Sequence, residues 1–251
     1  RTARGLFFKK LAIFLFDSES ARSRKRYDYY LNKKIIRYAA AMALGMLGHS
    51  ALMRSAARVL ALWFSPHGFF DPLLERHRPD AVFATDVQNE NDVSLMQDAR
   101  RRRIPVIAMV RSWDNLTLHG LMRFLPQKLL VASEEIKRQA EVLNDCPPSS
   151  IEIMGVPHYD KYYKGATISR EEFYHAMKLD LSKSCLLFAP IGDFYINNNT
   201  TDAHVVSVLS EMDYNIIVRF SPTVPVADMV HAVPPAHTVF DRPGINFIKE
   251  D

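Results

Sequence analysis

The sequence predicts an α/β chain in which one parallel-sheet unit is followed by the opening part of a second. Three observations predict it. Short, near-continuous apolar runs recur at residues 80–85, 104–110, 128–133 and 151–155, and again at 185–189 and 214–220. Helical patterns at residues 93–103, 134–143 and 201–212 separate them. Residues 156–184, which hold Pro157, Gly165 and a helical pattern over 170–177, part the two groups. Apolar strands alternating with helices mean parallel sheets covered on both faces. Right-handed crossovers then predict a doubly wound unit. The boundaries that follow are 1–160 for a first unit with a basic helical head, 161–184 for a connector and 185–251 for an incomplete second unit.

Each element has its own reason. Before residue 65, apolar positions recur at helical spacing through Ile35, Ile36, Ala39, Met42, Leu44 and Met46, then Val59, Leu60 and Trp63. Residues 65–68, Ser-Pro-His-Gly, break that pattern. The helix over 93–103 ends in a run of arginines, Arg100 to Arg103, and Asp92 is expected to cap it. Ser133 is placed to cap the helix over 134–143. Residues 237–240 offer one further short element in the second unit.

Composition is that of a globular protein, with 48% hydrophobic and 24% charged residues. The two cysteines, Cys146 and Cys185, provide neither a disulfide framework nor a cysteine zinc site, which fits a reducing cytoplasmic setting. Charge is uneven. Residues 1–60 hold 13 Lys/Arg against 3 Asp/Glu, and the rest hold 19 against 25. Arg22, Arg24, Lys25 and Arg26 cluster beside Tyr27, Tyr29 and Tyr30. Such a head suits an anionic membrane surface, nucleic acid or a plain solvated helical face. A specific nucleic-acid partner is disfavoured, because no reading motif accompanies the charge. The longest apolar stretch, residues 39–53, falls short of the roughly 20 residues a spanning helix needs. It reads as a buried or interfacial helix. The chain opens on Arg1 and stops at Asp251 in a running pattern, which reads as a piece of a longer chain.

Ligands of parallel α/β sheets sit beyond the carboxyl ends of the strands. Four polar loops lie there. The first, residues 85–92, carries Asp86 and Asp92, carboxylates that can deprotonate or hold a hydroxyl. The second, residues 111–117, carries Trp113 as an aromatic face, with Asp114 and Asn115 as hydroxyl-binding groups. The same residues also suit packing and a turn. His119, five residues past Asp114, is a candidate base. In the second unit, Gly192 and Asp193 follow the run at 185–189, ahead of a helix whose N-terminus can take phosphate. Arg219 stands near the end of the run at 214–220 and can neutralise a diphosphate or pair with a helix carboxylate. The sequence contains no Gly-x-Gly-x-x-Gly, no P-loop and no Gly-x-Ser-x-Gly elbow, which disfavours classical NAD enzymes, P-loop kinases and serine hydrolases. No cluster has metal spacing.

The ordered succession carries a resemblance. Arg78-Pro-Asp-Ala-Val-Phe-Ala-Thr, Arg103-Ile-Pro-Val-Ile, Ser112-Trp-Asp-Asn-Leu-Thr, Lys128-Leu-Leu-Val-Ala-Ser and Ile153-Met-Gly-Val-Pro-His-Tyr-Asp follow one another. This is similar to the later half of the N-terminal domain of GT-B glycosyltransferases. It also resembles the related UDP-N-acetylglucosamine 2-epimerase and CDP-glycerol glycerophosphotransferase groups. Leu186-Leu-Phe-Ala-Pro-Ile-Gly-Asp looks like the first strand and loop of their C-terminal domain. The resemblance spans residues 70–222 and rests on order more than on any one motif.

It implies a GT-B-like pair of Rossmann-like domains and a metal-independent transferase with no cofactor. The donor is a nucleotide-activated sugar or polyol, and the acceptor a surface polysaccharide or a lipid-linked glycan. On that reading Asp86 and Asp114 are catalytic, Trp113, Asn115 and His119 bind acceptor, and Gly192, Asp193 and Arg219 bind donor phosphates. The protein would work in the cytoplasm, peripherally at the inner membrane face. Ser221-Pro222 stands where the family has His-Pro, and the later donor-binding part of the family's second domain has no counterpart in these residues. The 251 residues alone are therefore expected not to turn over a donor. A sugar-nucleotide epimerase of the same fold and a non-catalytic binding module that kept the fold are the alternatives.

Overall fold

The computed structural model describes residues 3–192, 199–221 and 234–241. The chain divides into two compact units, Arg1–Asp160 and Lys161–Asp251.

The first unit opens on α1 (Ala3–Leu15), α2 (Glu19–Lys25), α3 (Ile35–Leu47), α4 (Ala51–Phe64) and α5 (Asp71–His77), with a π-helical turn, Arg26–Leu31, ahead of α3. There follow β1 (Val82–Ala84), α6 (Glu90–Arg101), β2 (Val106–Met109), the one-turn α7 (Asn115–Leu118), β3 (Lys128–Val131), α8 (Glu134–Asn144) and β4 (Ile151–Ile153). The second unit holds α9 (Arg170–Met177), β5 (Cys185–Phe188), α10 (Thr201–Ser210), β6 (Asn215–Arg219) and β7 (Thr238–Asp241). The protein is thus α/β with parallel sheets, of a Rossmann-like kind.

Helix ends follow local chemistry. Ser133 accepts a hydrogen bond from the Ile136 amide and starts α8. Ser169 and Glu172 form a reciprocal capping box on α9. Asp92 does not cap α6. Asn89 does, accepting from the Asn91 amide, and Asp92 sits inside the first turn. The extended backbone needed at a cap occurs three residues earlier than the sequence suggested.

Both sheets run in chain order, β1-β2-β3-β4 and β5-β6-β7, and every pairing is parallel. Val82 lies opposite Val106, Ala108 opposite Leu129, and Leu129 opposite Ile151. Among the described residues this one-way order corrects the doubly wound expectation for the first unit. Strands added always in one direction with right-handed crossovers put their helices on one face. The burial pattern of the first sheet agrees. Val82, Ala84, Val106, Ala108, Leu129, Val131 and Ile151 are buried in one core with Met96, Ala99, Ile136 and Ala140. The alternate residues Phe83, Ile107, Met109 and Leu130 are only half-buried or exposed. In the second unit, Ile216, Val218 and Phe220 pack with Val206 of α10.

The predicted helix over residues 39–53 is also corrected. It is two helices, α3 and α4, which meet at 109° across Gly48, His49 and Ser50. Gly48 is there for space, since a Cβ on it would lie 1.6 Å from the Leu15 carbonyl oxygen. The basic cluster is not wholly a surface. Lys25 is buried, and its Nζ donates to the carbonyls of Phe14 (2.9 Å) and Phe16 (2.7 Å), closing the end of α1. Arg54 and Arg58 likewise turn inward, both to Asp145.

Candidate functional site

The loops after β1 and β2 meet at the carboxyl edge of the first sheet. Asp86 leaves β1 and is buried. Its Oδ1 accepts from the backbone amides of Gln88 (2.8 Å) and Asn89 (3.2 Å), an Asx turn that aims the chain into α6. Its Oδ2 lies 3.3 Å from Nε of the exposed Arg111, which leaves β2. Gln88 ties the two loops together. Its amide accepts from Asn115 Nδ2 at 3.2 Å and donates to the Gly120 carbonyl at 2.7 Å. Asn115, itself buried, accepts from the Ser112 amide at 2.7 Å. That bond turns the chain sharply enough to start α7.

The turn presents three side chains outward. Trp113 is 79% exposed. Asp114 Oδ1 accepts from the Ser112 hydroxyl at 2.5 Å. Asp114 Oδ2 stands 3.4 Å from His119 Nε2. The Ser112 hydrogen bond and the nearby imidazole hold the Asp114 carboxyl below the usual carboxylate range. A carboxylate held low is a poor proton acceptor at neutral pH but a good orienting group for an imidazole.

The structure therefore brings Asp86, Trp113, Asp114, Asn115 and His119 into one neighbourhood and sorts them. Asp86 and Asn115 are buried and committed to holding the loops. Trp113, Asp114 and His119 face outward, with Arg111 beside them. Arg111 received no role from the sequence, although it directly follows a strand, which is the rule that singled out its neighbours.

In the second unit the same edge carries Gly192, Arg219 and Asp241. Gly192 has φ +75°, which favours glycine. Its amide donates to Asp202 Oδ2 at 2.8 Å. Asp202, in the first turn of α10, also accepts from the Ile191 amide (3.2 Å) and Asn199 Nδ2 (2.6 Å). A protein carboxylate thus takes the loop amides ahead of α10, where a phosphate was expected. Arg219, expected either at a diphosphate or beside a helix carboxylate, forms its ion pair with Asp241 at the end of β7. Asp241 is buried, and its Oδ1 has no hydrogen-bond partner among the described residues. Asp193 lies outside the described residues. The two acids were missed because their significance depends on which strand end or loop amide they meet.

A separate cleft of about 440 Å³ in the first unit is lined by Leu6, Pro66, Phe69, Val93 and the polar Ser65 and Gln97. The Ser65 hydroxyl and the Gln97 amide nitrogen are buried without hydrogen-bond partners among the described residues. Among the described residues, no three His, Cys, Asp or Glu side chains are placed to hold a metal ion.

No protein-family model matches the chain, and no curated protein matches it.

Proposed function

We propose that the chain belongs to a GT-B-type glycosyl or polyol-phosphate transferase, with the first unit on the acceptor side and the second on the donor side. The acceptor on this reading is a glycan or lipid-linked glycan presented at a membrane face. The donor is a nucleotide-activated sugar or polyol. The observation that carries the proposal is the Asp114–His119 pair beside an exposed Trp113 at the carboxyl edge of a parallel sheet.

In this mechanism Trp113 gives a sugar ring an aromatic face. His119 removes the proton of the acceptor hydroxyl, while Asp114 orients the imidazole and stabilises its charged form. The hydroxyl oxygen bonds to the donor's reacting carbon, or to phosphorus for a polyol phosphate. The bond from that atom to its nucleotide oxygen breaks, and the nucleotide leaves as an anion. Asp86 holds Arg111 near the developing negative charge.

The test is nucleotide release from a panel of nucleotide sugars and CDP-glycerol, with membrane-derived acceptor, in the complete natural protein. His119→Ala should lower kcat by about 100-fold and Asp114→Asn by somewhat less, both with KM nearly unchanged. Equal activity in both variants would remove the dyad from the mechanism. Isomerised donor formed without acceptor would favour an epimerase instead.

One observation favours the non-catalytic module. The Gly192 amide and the Arg219 guanidinium, the groups expected at donor phosphates, are already taken by Asp202 and Asp241. Thermal stability unmoved by every nucleotide in the panel would support that reading.

A further inference from the structure

Helices α3 and α4 are inside out. A helix on a water-soluble body ordinarily turns its large apolar residues inward and its charges outward. Here α4 buries Ala57 and Ala61, and its two charged residues, Arg54 and Arg58, turn inward to Asp145. Its solvent face carries Leu52, Ala56, Val59, Leu60, Trp63 and Phe64, which recur at helical spacing. Helix α3 repeats the inward small and outward large apolar residues, with Arg37 at its surface. It buries Ala41 and Gly45 against the body and exposes Ile35, Ile36, Met46 and Leu47. The exposure is large, at 87% for Ile36, 77% for Leu52 and 73% for both Met46 and Trp63. Such a face exceeds the scattered apolar residues of an ordinary surface.

Charge identifies what covers it. The sequence has no Asp or Glu between Asp28 and Asp71. Lys33, Lys34 and Arg37 sit at the head of α3, beside Ile35 and Ile36. Tyr27 and Tyr30 are exposed just before them. Apolar side chains framed by cations and aromatic rings, with the acid among them, Asp28, paired to Arg24, match the boundary of headgroups and acyl chains in an anionic bilayer. A second copy packed symmetrically on this face would bring the same cations together, with no acid on the face to offset them.

Length and the 109° bend between α3 and α4 decide how the helices lie. No single helix among the described residues is long and apolar enough to cross a membrane. At 13 and 14 residues, α3 and α4 are each about 20 Å long, short of the hydrocarbon core. We infer that the outward face of α3 and α4 is a bilayer-docking surface, with both helices lying in the interface of a membrane rich in anionic phospholipid. This stands whether or not the strand-end cluster is a transferase site, because no donor or acceptor enters its test.

The test uses the full 251-residue chain with Trp113→Phe, so that Trp63 is the only tryptophan. Vesicles of phosphatidylcholine with phosphatidylglycerol are compared with phosphatidylcholine alone. Expected are co-sedimentation with the mixed vesicles, a blue shift of Trp63 emission, and quenching by lipids brominated on the acyl chain. The pair Ile36→Glu and Leu52→Glu should weaken binding at least tenfold. So should the triple variant Lys33→Glu, Lys34→Glu and Arg37→Glu. These side chains are at the surface, so circular dichroism should report unchanged helix content. Trp63 emission unmoved by the mixed vesicles would overturn the proposal. So would binding abolished by salt without quenching, which would mean charge attraction alone. A stable dimer in light scattering, with Trp63 already blue-shifted before lipid is added, would reassign the face to self-association.

Discussion

Asp145 holds two arginines of one helix at once. It receives hydrogen bonds from Arg54 Nε (2.8 Å) and Arg58 Nη1 (2.9 Å), and it stands at the end of α8 with φ +54°. The guanidinium groups, Arg54 foremost, hold its carboxyl below the usual carboxylate range. Asp145→Asn leaves both arginines with an uncompensated charge in a largely buried place, and should cost about 3 kcal/mol in urea unfolding. The pH dependence follows from the sign. A depressed folded pKa gives stability that is present above the unfolded value of about 3.9 and is lost as pH falls through the lower folded value. Stability of the parent should therefore drop more steeply below about pH 4 than that of Asp145→Asn. The neighbouring Cys146 behaves oppositely. Burial pushes its thiol up to about 12. In the native protein at pH 8 it should not react with Ellman's reagent, and it should react at once in denaturant. Native-state labelling at Cys146 would show that α8 opens at this end. Neither environment is legible along the chain. Arg54 and Asp145 are 91 positions apart, and only the fold makes them partners.

At the scale of elements, small residues decide how the head packs. Gly48 of the α3–α4 corner admits the Leu15 carbonyl, and the backbone there leaves no room for a methyl. Gly48→Ala should cost about 3 kcal/mol and lower the helical signal of the head. A neutral result would mean that α1 and α3 can separate without loss. The strands were legible because buried parallel strands are nearly continuous apolar runs. Their helices were legible where caps and periodicity coincided, as at Ser133 and α8. The short α5 and α7 were not anticipated. One follows an aromatic loop, and the other depends on the Asn115 hydrogen bond to the Ser112 amide. The corner at Gly48 was hidden because Ala, Leu and Met continue the same composition on both sides of it.

At the scale of the molecule, residues 152–171 are exposed throughout, across the junction of the two compact units. Lys161 and Lys164 lie within that stretch. Brief trypsin treatment should cut there first and leave a fragment ending near residue 160 that keeps cooperative unfolding. A first cut in the helical head would mean that the head is the weaker part. Of the candidate site, the residue types and their strand ends were legible. Their division of labour was not. Asp86 and Asn115 became structural, and Asp114 and His119 became a pair, because hydrogen-bond geometry ranks groups that composition treats alike.

The sequence by itself determined the α/β class, the parallel strands, the two-unit organisation and the place of the polar loops. Each of these depends on local periodicity and on the rule that parallel sheets need crossovers. Only the tertiary structure decided the one-way winding of the first sheet, the capture of Gly192 and Arg219 by Asp202 and Asp241, and the outward apolar face of α3 and α4. These depend on which side of an element meets the body. A helix with two distinct faces has the same periodicity whichever face it buries.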